Sequence, residues 1–214
     1  LKMYISENPE ATMVSFALSE NAGNRIHIGS KEGGAAWTPK LQVVEKEEED
    51  PLAVRTGIDP VADSTVQSWG NENNKNYGAE TFLQMQRNKT QGLFGEGVRP
   101  NNGYDCKIAY IKYDISEYTK SNIDSANLSL VYDKKFNGST NEIQIQTALS
   151  SSEWEEGVGK ESGEGANGNK ADAGTLIWEN QPVLIYDVAD STNTTALSSV
   201  FSADDMQSEV KIDV

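Results

Sequence analysis

The sequence predicts an all-β fold, an antiparallel β-sandwich of jelly-roll type. Apolar and polar residues alternate with a period of two along much of the chain, which is the pattern of half-buried strands. The clearest case is "NEIQIQTAL", where Ile143 and Ile145 face one side and Gln144 and Gln146 face the other. Turn-forming pairs separate the alternating runs, at Asn102-Gly103, Asn137-Gly138 and Asn167-Gly168.

The predicted strands follow one another along the whole chain. They are Met13–Leu18, Arg25–Gly29, Lys40–Glu45, Ser64–Trp69, Thr81–Arg87, Lys107–Ile115, Ala126–Asp133, Asn141–Leu149, Leu176–Glu179, Val183–Val188 and Ser208–Val214. Helical patterns are scarce, with one or two turns predicted at Leu1–Glu7 and one at Ala196–Phe201. Glu45–Pro60 is acidic, contains prolines and predicts a linker, whereas Glu155–Thr175 is rich in Gly and charge and predicts a long exposed loop.

Composition excludes several classes of partner. The chain of 214 residues carries 18 Lys and Arg against 33 Asp and Glu, a net charge of −15. Nucleic acid and anionic membrane surfaces would repel it, and no apolar run is long enough for membrane insertion. Cys106 is the only cysteine, so an intrachain disulfide is impossible, and we expect a small strand residue there. An intermolecular disulfide stays open.

Several short motifs occur in a recognisable order from Val61 onward. They are Ala62, Asp63 and Val66; Asn76, Tyr77 and Gly78; Tyr110, Ile111, Lys112, Tyr113 and Asp114; Trp154, Glu156 and Gly157; and Trp178 with Pro182, where Ile177 replaces the usual Thr. In order and spacing this part resembles the DNRLRE-type domain of extracellular proteins of bacteria and archaea. That family is grouped with a carbohydrate-binding module family. The resemblance implies an extracellular or cell-surface β-sandwich.

The two ends of the chain resemble neighbouring parts of that family domain, but in displaced order. "SEVKIDV" at the C-terminus would precede the N-terminal strands in the family, so the domain is predicted to be split or circularly permuted. We expect residues 1–44 to complete the sandwich formed by residues 61–214, with 45–60 as the linker. Three arrangements stay open: a permuted domain, a window from a tandem array, and strand exchange between copies.

Strand exchange is the arrangement that we predict. The assembly residues would be the apolar side chains of the displaced strands: Val14, Phe16, Leu18, Ile26, Ile28, Leu41, Val43, Val210, Ile212 and Val214. Leu1–Val44 would then pack outside its own chain and join copies head to tail. The first functional hypothesis is therefore a non-catalytic subunit or repeat of a surface fibre, sheath or stalk. The alternative is a carbohydrate-binding module of a cell-wall or polysaccharide-degrading protein.

The pattern of chemical groups does not indicate an enzyme. His27 is the only histidine, and its alternation with Ile26 and Ile28 predicts an outward-facing strand residue. No Ser-His-Asp set or phosphate-binding loop is present. Polysaccharide binding would use aromatic rings and polar or basic side chains, and the candidates are Trp69, Tyr77, Tyr104, Arg87 and Lys112.

Two further kinds of site are predicted. Closely spaced oxygen ligands could hold a structural Ca²⁺, with Asp59, Asp63 and Asn73 as candidate ligands, although turn chemistry also accounts for these residues. Sequons at Asn88, Asn137 and Asn193 are candidate glycosylation sites, whereas the sequon at Asn127 lies in a predicted strand.

Overall fold

A computed structural model gives the structure of the chain. It describes residues 1–20, 23–45, 56–68, 74–86, 106–118, 123–137, 141–150, 152–159, 175–182, 197–202 and 208–214. These residues form a nearly all-β fold with one short helix, α1 (Lys2–Glu7). The predicted strand at Val183–Val188 lies outside the described residues, as does most of the predicted loop after Glu155.

Eleven strands make up the described part of the fold. They are β1 (Met13–Glu20), β2 (Arg25–Gly29), β3 (Lys40–Glu45), β4 (Thr56–Ile58), β5 (Pro60–Gln67), β6 (Phe82–Gln86), β7 (Lys107–Asp114), β8 (Ile123–Asn137), β9 (Glu142–Ser150), β10 (Leu197–Ser202) and β11 (Glu209–Asp213). The hydrogen-bonded order is β10-β9-β1-β7-β6-β2-β8-β3-β4, with β5 also on β7 and β11 also on β8. All of these strand pairs are antiparallel.

The sheet curls so that strands distant in this order share one core. Phe16 on β1 and Ile145 on β9 belong to the same buried cluster as Leu41 on β3 and Leu128 on β8. These side chains are almost entirely removed from water, which supplies the main driving force for the fold. Phe16 also meets the ring of Tyr113 edge to face, with ring centroids 6.2 Å apart. The all-β, sandwich-like class predicted from the sequence is confirmed.

A second, smaller cluster covers the other face of β1, β5 and β7. It contains Ala17, Val66 and Tyr110 from these strands. The aromatic rings of Trp154 and Trp178 pack onto them from the segments 152–159 and 175–182. Both faces of β1 are therefore covered, which explains why seven of its eight residues are buried.

The prediction that Leu1–Val44 packs outside its own chain is wrong for this structure. β1 pairs with β7 and β9, β2 with β6 and β8, and β3 with β8 and β4. The predicted assembly residues on these strands all lie in the chain's own core. The C-terminal strand β11 likewise pairs with β8 of the same chain. The open edges that motivated strand exchange are thus satisfied internally.

Three local predictions also differ from the structure. Thr56–Ile58, assigned to the linker, forms β4 on the edge of β3. Leu197–Ser202 forms β10 where a helical turn was expected, because pairing with β9 overrides local propensity. Trp178–Asn180 is a 3₁₀ turn within a predicted strand. Within the described residues, no helix is long and apolar enough to cross a membrane.

The packing of β1 predicts a clear contrast between two identical substitutions. Val14→Ala removes a fully buried side chain and should lower the free energy of unfolding by about 2 kcal/mol. Val61→Ala on β5, where 47% of the residue is exposed, should cost much less. Denaturant unfolding of both variants measures this difference. Equal losses would contradict the burial of Val14, whereas a midpoint that rises with protein concentration would place Leu1–Val44 against another copy.

Candidate functional site

Three carboxylates from separate parts of the fold meet at one place, which we call the carboxylate cluster. Asp63 lies on β5, Glu32 lies in the 3₁₀ turn Lys31–Gly33 after β2, and Glu156 lies in the segment 152–159. One carboxylate oxygen from each can be chosen so that all three lie within 4.8 Å of one another. Like charges at this distance repel, so other contacts must hold the cluster together.

Hydrogen bonds from Lys31 and from the backbone supply those contacts. The backbone N–H of Lys31 donates to Asp63 Oδ2 at 2.7 Å, and the N–H of Asp63 donates to Glu156 Oε1 at 2.8 Å. The Lys31 ammonium lies 2.8 Å from Glu156 Oε2 and also bonds to Glu32. One lysine therefore serves two of the three carboxylates, while a backbone donor serves the third.

Asp63 occupies the least favourable position for a charge. Only 1% of its surface is exposed. Burial, followed by the repulsion of Glu32 and Glu156, raises the pKa of Asp63 to about 8, although the hydrogen bond from the Lys31 N–H favours the charged form. Burial is also the main cause that raises the pKa of Glu156. Asp63 Oδ1 and Glu32 Oε2 are buried and accept no hydrogen bond within the described part of the chain.

Asn76 fixes the loop that carries Glu156. Its side-chain amide donates to the carbonyl oxygens of Glu156 and Leu176, the latter at 2.9 Å. Its Oδ1 accepts from the N–H groups of Gly78 at 3.0 Å and Gly159 at 3.1 Å. Asn76 is 2% exposed, so one buried amide ties three segments of the chain together.

Two glycines allow this close approach. A Cβ on Gly78 would lie 2.2 Å from the carbonyl oxygen of Glu156. Gly157 has φ +75°, and a Cβ there would lie 2.4 Å from Asn76 Oδ1. The Asn-Tyr-Gly and Glu-Gly motifs of the sequence are thus two halves of one contact. Sequence spacing could not show this, because the contact joins residues about 80 positions apart.

The structure places two predicted sugar-binding residues in packing roles instead. Tyr77 is 3% exposed, and its hydroxyl accepts a hydrogen bond from Gln67, so its ring offers no open face to a sugar. Lys112 donates to the carbonyl oxygens of Ser152 and Trp154, and its ammonium lies 4.5 Å from the centroid of the Trp154 ring. Lys112 therefore holds the 152–159 segment against β7.

The remaining predicted site residues have other outcomes. Asp59 is exposed and bonds to Lys40, so it does not join Asp63 in a metal site as predicted. Asn137 ends β8, and its side chain is not described. Outside the described residues lie Trp69, Tyr104, Arg87, Asn73, Asn88 and Asn193. Glu32 and Glu156 were not predicted as partners of Asp63, although Glu156 belongs to one of the sequence motifs.

His27 is buried, which corrects the prediction of an outward-facing surface residue. It is 2% exposed and stacks on Phe82, with ring centroids 3.9 Å apart. Next to it, Arg25 and Lys107 both donate to Gln84 Oε1, at 2.7 Å and 2.6 Å. We call Arg25, Lys107 and Lys134, which lie on β2, β7 and β8, the basic face. Burial and the charges of these three residues lower the pKa of His27 from 6.5 to about 3.

Comparison with known families supports a binding domain. Residues 54–158 match the model of carbohydrate-binding module family 96. This part of the chain, which runs from β4 through β9, is therefore similar to a carbohydrate-binding module, a class of non-catalytic domain. Asp63, Asn76 and Glu156 lie inside the matched span, whereas Glu32 and Arg25 lie outside it. No curated protein and no solved structure shows a significant match to the chain.

The environment of His27 predicts its titration. Since the chain has one histidine, its imidazole resonances in NMR spectra need no assignment by mutation. We expect no titration between pH 8 and pH 5, because the pKa of His27 is lowered to about 3. Between pH 6.5 and about 3 the unfolded chain binds the proton and the folded chain does not, so stability falls as the pH drops. His27→Gln should flatten this dependence near pH 6; a midpoint near 6.5 in the folded protein would contradict the burial.

The Asn76 contact predicts different costs for the same change at two glycines. Gly78→Ala should lower the free energy of unfolding by about 2 kcal/mol or more, because its Cβ would meet backbone. Gly57→Ala is the matched control, since the nearest atom to its Cβ would be 3.9 Å away, and it should change stability by less than about 0.5 kcal/mol. Thermal or denaturant unfolding distinguishes the two. A Gly78→Ala variant as stable as the control would contradict the close contact.

Proposed function

We propose that this chain is a non-catalytic carbohydrate-binding domain of an extracellular protein. The observation that carries the proposal is the match of residues 54–158 to carbohydrate-binding module family 96. The sandwich-like scaffold supports it, since such scaffolds present side chains of fixed geometry on their faces. A module of this kind would hold a larger protein on its polysaccharide, and an extracellular location follows from where such polysaccharides occur.

The basic face is the surface that we propose for the polysaccharide. Arg25, Lys107 and Lys134 all act electrostatically on His27, and Asp133 lies 4.0 Å from its Nδ1. This local excess of positive charge contrasts with the net charge of −15 of the whole chain. Arg25 is half-buried and 48% of the Lys134 side chain is exposed, so both can reach a ligand.

The charge of this surface favours an acidic polysaccharide over a neutral one. Carboxylate groups of uronic acid residues would form charge-assisted hydrogen bonds with Arg25 and Lys134. The rigid pairing of Arg25 and Lys107 with Gln84 would hold these cations in position before the ligand binds, which lowers the entropic cost of binding.

The test compares two lysines of equal exposure. Lys134→Gln should weaken binding to a uronic acid polymer by roughly tenfold and reduce its salt dependence. Lys211→Gln on β11 is the control, since its side chain is also 48% exposed and also lies near one acid, and it should leave binding unchanged. Affinity electrophoresis with acidic and neutral polysaccharides measures both effects. If both variants bind the polysaccharides equally well, the basic face is not the binding surface. If no polysaccharide retains the protein, the proposed function is wrong.

We also infer that the strand order is displaced relative to the DNRLRE-type domain that the sequence resembles. β3 from the N-terminal part and β11 from the C-terminus both pair with β8. Leu1 is buried in the core, and Val214 packs against the same cluster. These contacts support an arrangement in which the two ends contribute neighbouring parts of one domain, without a second copy.

A further inference from the structure

We propose that the carboxylate cluster of Glu32, Asp63 and Glu156 is a divalent cation site and that its ion is Ca²⁺. The inference does not depend on the proposed carbohydrate function, because it rests on the geometry and chemistry of these residues alone.

The separation of the oxygens suits one shared ion. Ca²⁺ binds oxygen at about 2.3–2.6 Å, so two oxygens on the same ion lie at most about 5 Å apart. Candidate oxygens from Glu32, Asp63 and Glu156 all lie within 4.8 Å of one another. The three side chains can therefore share an ion from the positions that they occupy in this structure.

The second observation is a buried oxygen that lacks a partner. Asp63 is 1% exposed, and its Oδ2 accepts the Lys31 N–H while its Oδ1 accepts no hydrogen bond from the described residues. An ionised carboxylate that is buried with a free oxygen is costly unless a cation or donor completes it. Glu32 Oε2 is buried and unpartnered in the same way, so two of the three carboxylates keep an oxygen available.

The net charge of the carboxylate cluster also suits a divalent cation. Lys31 supplies one positive charge against three carboxylates, which leaves −2 in the state that binds a cation, with Asp63 ionised. The Lys31 ammonium bonds to Glu156 Oε2 and Glu32 Oε1, and it has no bond to Asp63 Oδ1. A divalent cation would neutralise the remainder and remove the repulsion among the carboxylates.

The ligand type favours Ca²⁺ over other common metals. All three side chains offer hard oxygen atoms, which excludes the nitrogen and sulfur ligands that Zn²⁺ prefers. Mg²⁺ requires near-ideal octahedral geometry, whereas Ca²⁺ tolerates irregular sets that water molecules complete. The three carboxylates belong to a turn, a strand and a loop, so no single element imposes an octahedral arrangement on them.

Binding there would connect parts of the chain that are distant in sequence. Glu32 belongs to the N-terminal segment, Asp63 to β5 and Glu156 to the 152–159 segment. The ion would therefore fasten the N-terminal segment to the span that matches the carbohydrate-binding module family.

The test uses isothermal titration calorimetry and thermal unfolding of the chelator-treated chain with CaCl₂, MgCl₂ and ZnCl₂. We expect heat of binding with Ca²⁺ and a melting temperature that rises with added Ca²⁺ and falls again with EDTA. Asp63→Asn should lose the Ca²⁺-dependent shift and weaken Ca²⁺ binding at least tenfold. Asp59→Asn is the matched control, four positions away and exposed, and it should retain both.

The two variants also separate metal binding from a purely structural role. Because Asp63→Asn keeps a neutral side chain of nearly the same shape at the buried position, the variant should fold without Ca²⁺ and lose only its response to the ion. Glu32→Gln provides an independent check, since it removes a different carboxylate of the cluster and should also weaken Ca²⁺ binding. No heat and no melting shift with Ca²⁺ in the unmodified chain would overturn the proposal, as would equal Ca²⁺ responses of Asp63→Asn and Asp59→Asn.

Discussion

The position of β1 between β7 and β9 is the constraint on which the described fold depends. In the hydrogen-bonded order, β9 and β10 reach the remaining strands through β1. Val14 and Phe16 of β1 also fill the main core, while Ala17 faces the smaller cluster under Trp154. Without β1, two strand edges would lose their hydrogen-bonded neighbour and two apolar faces would be exposed to water. Both changes would raise the free energy of the folded chain. The N-terminal segment is therefore an integral part of the domain.

Covering the second face of β1 and β7 also creates the carboxylate cluster. The segment with Trp154 must lie close to the sheet for its indole to pack and to donate to Ser15 Oγ at 3.0 Å. Asn76 donates to the carbonyl oxygen of Glu156, two residues further on in the same segment, and Gly78 lies against that carbonyl. Glu156 then has little freedom and meets Asp63. Packing energy elsewhere in the segment thus offsets the repulsion between the two carboxylates.

The two proposed sites separate charge of opposite sign on one small scaffold. The cluster collects acids around Asp63 and would take a cation, whereas the basic face collects cations around His27 and would take an acidic sugar polymer. Each site joins a residue of the N-terminal segment to residues of the span that matches the family. The completed domain, and not the matched span alone, is therefore the unit that we expect to bind.

The sequence by itself determined the all-β class, most strand positions and the burial of strands such as "NEIQIQTAL", because a period of two is a local property. It also indicated Asp63 as a metal-ligand candidate and Asn76, Gly78 and Gly157 as motif residues. Only the tertiary structure decided that Leu1–Val44 completes its own sheet, that His27 is buried, and that Glu32 and Glu156 meet Asp63. These outcomes depend on strand pairing between distant residues, and the register of such pairs follows from how the whole core packs.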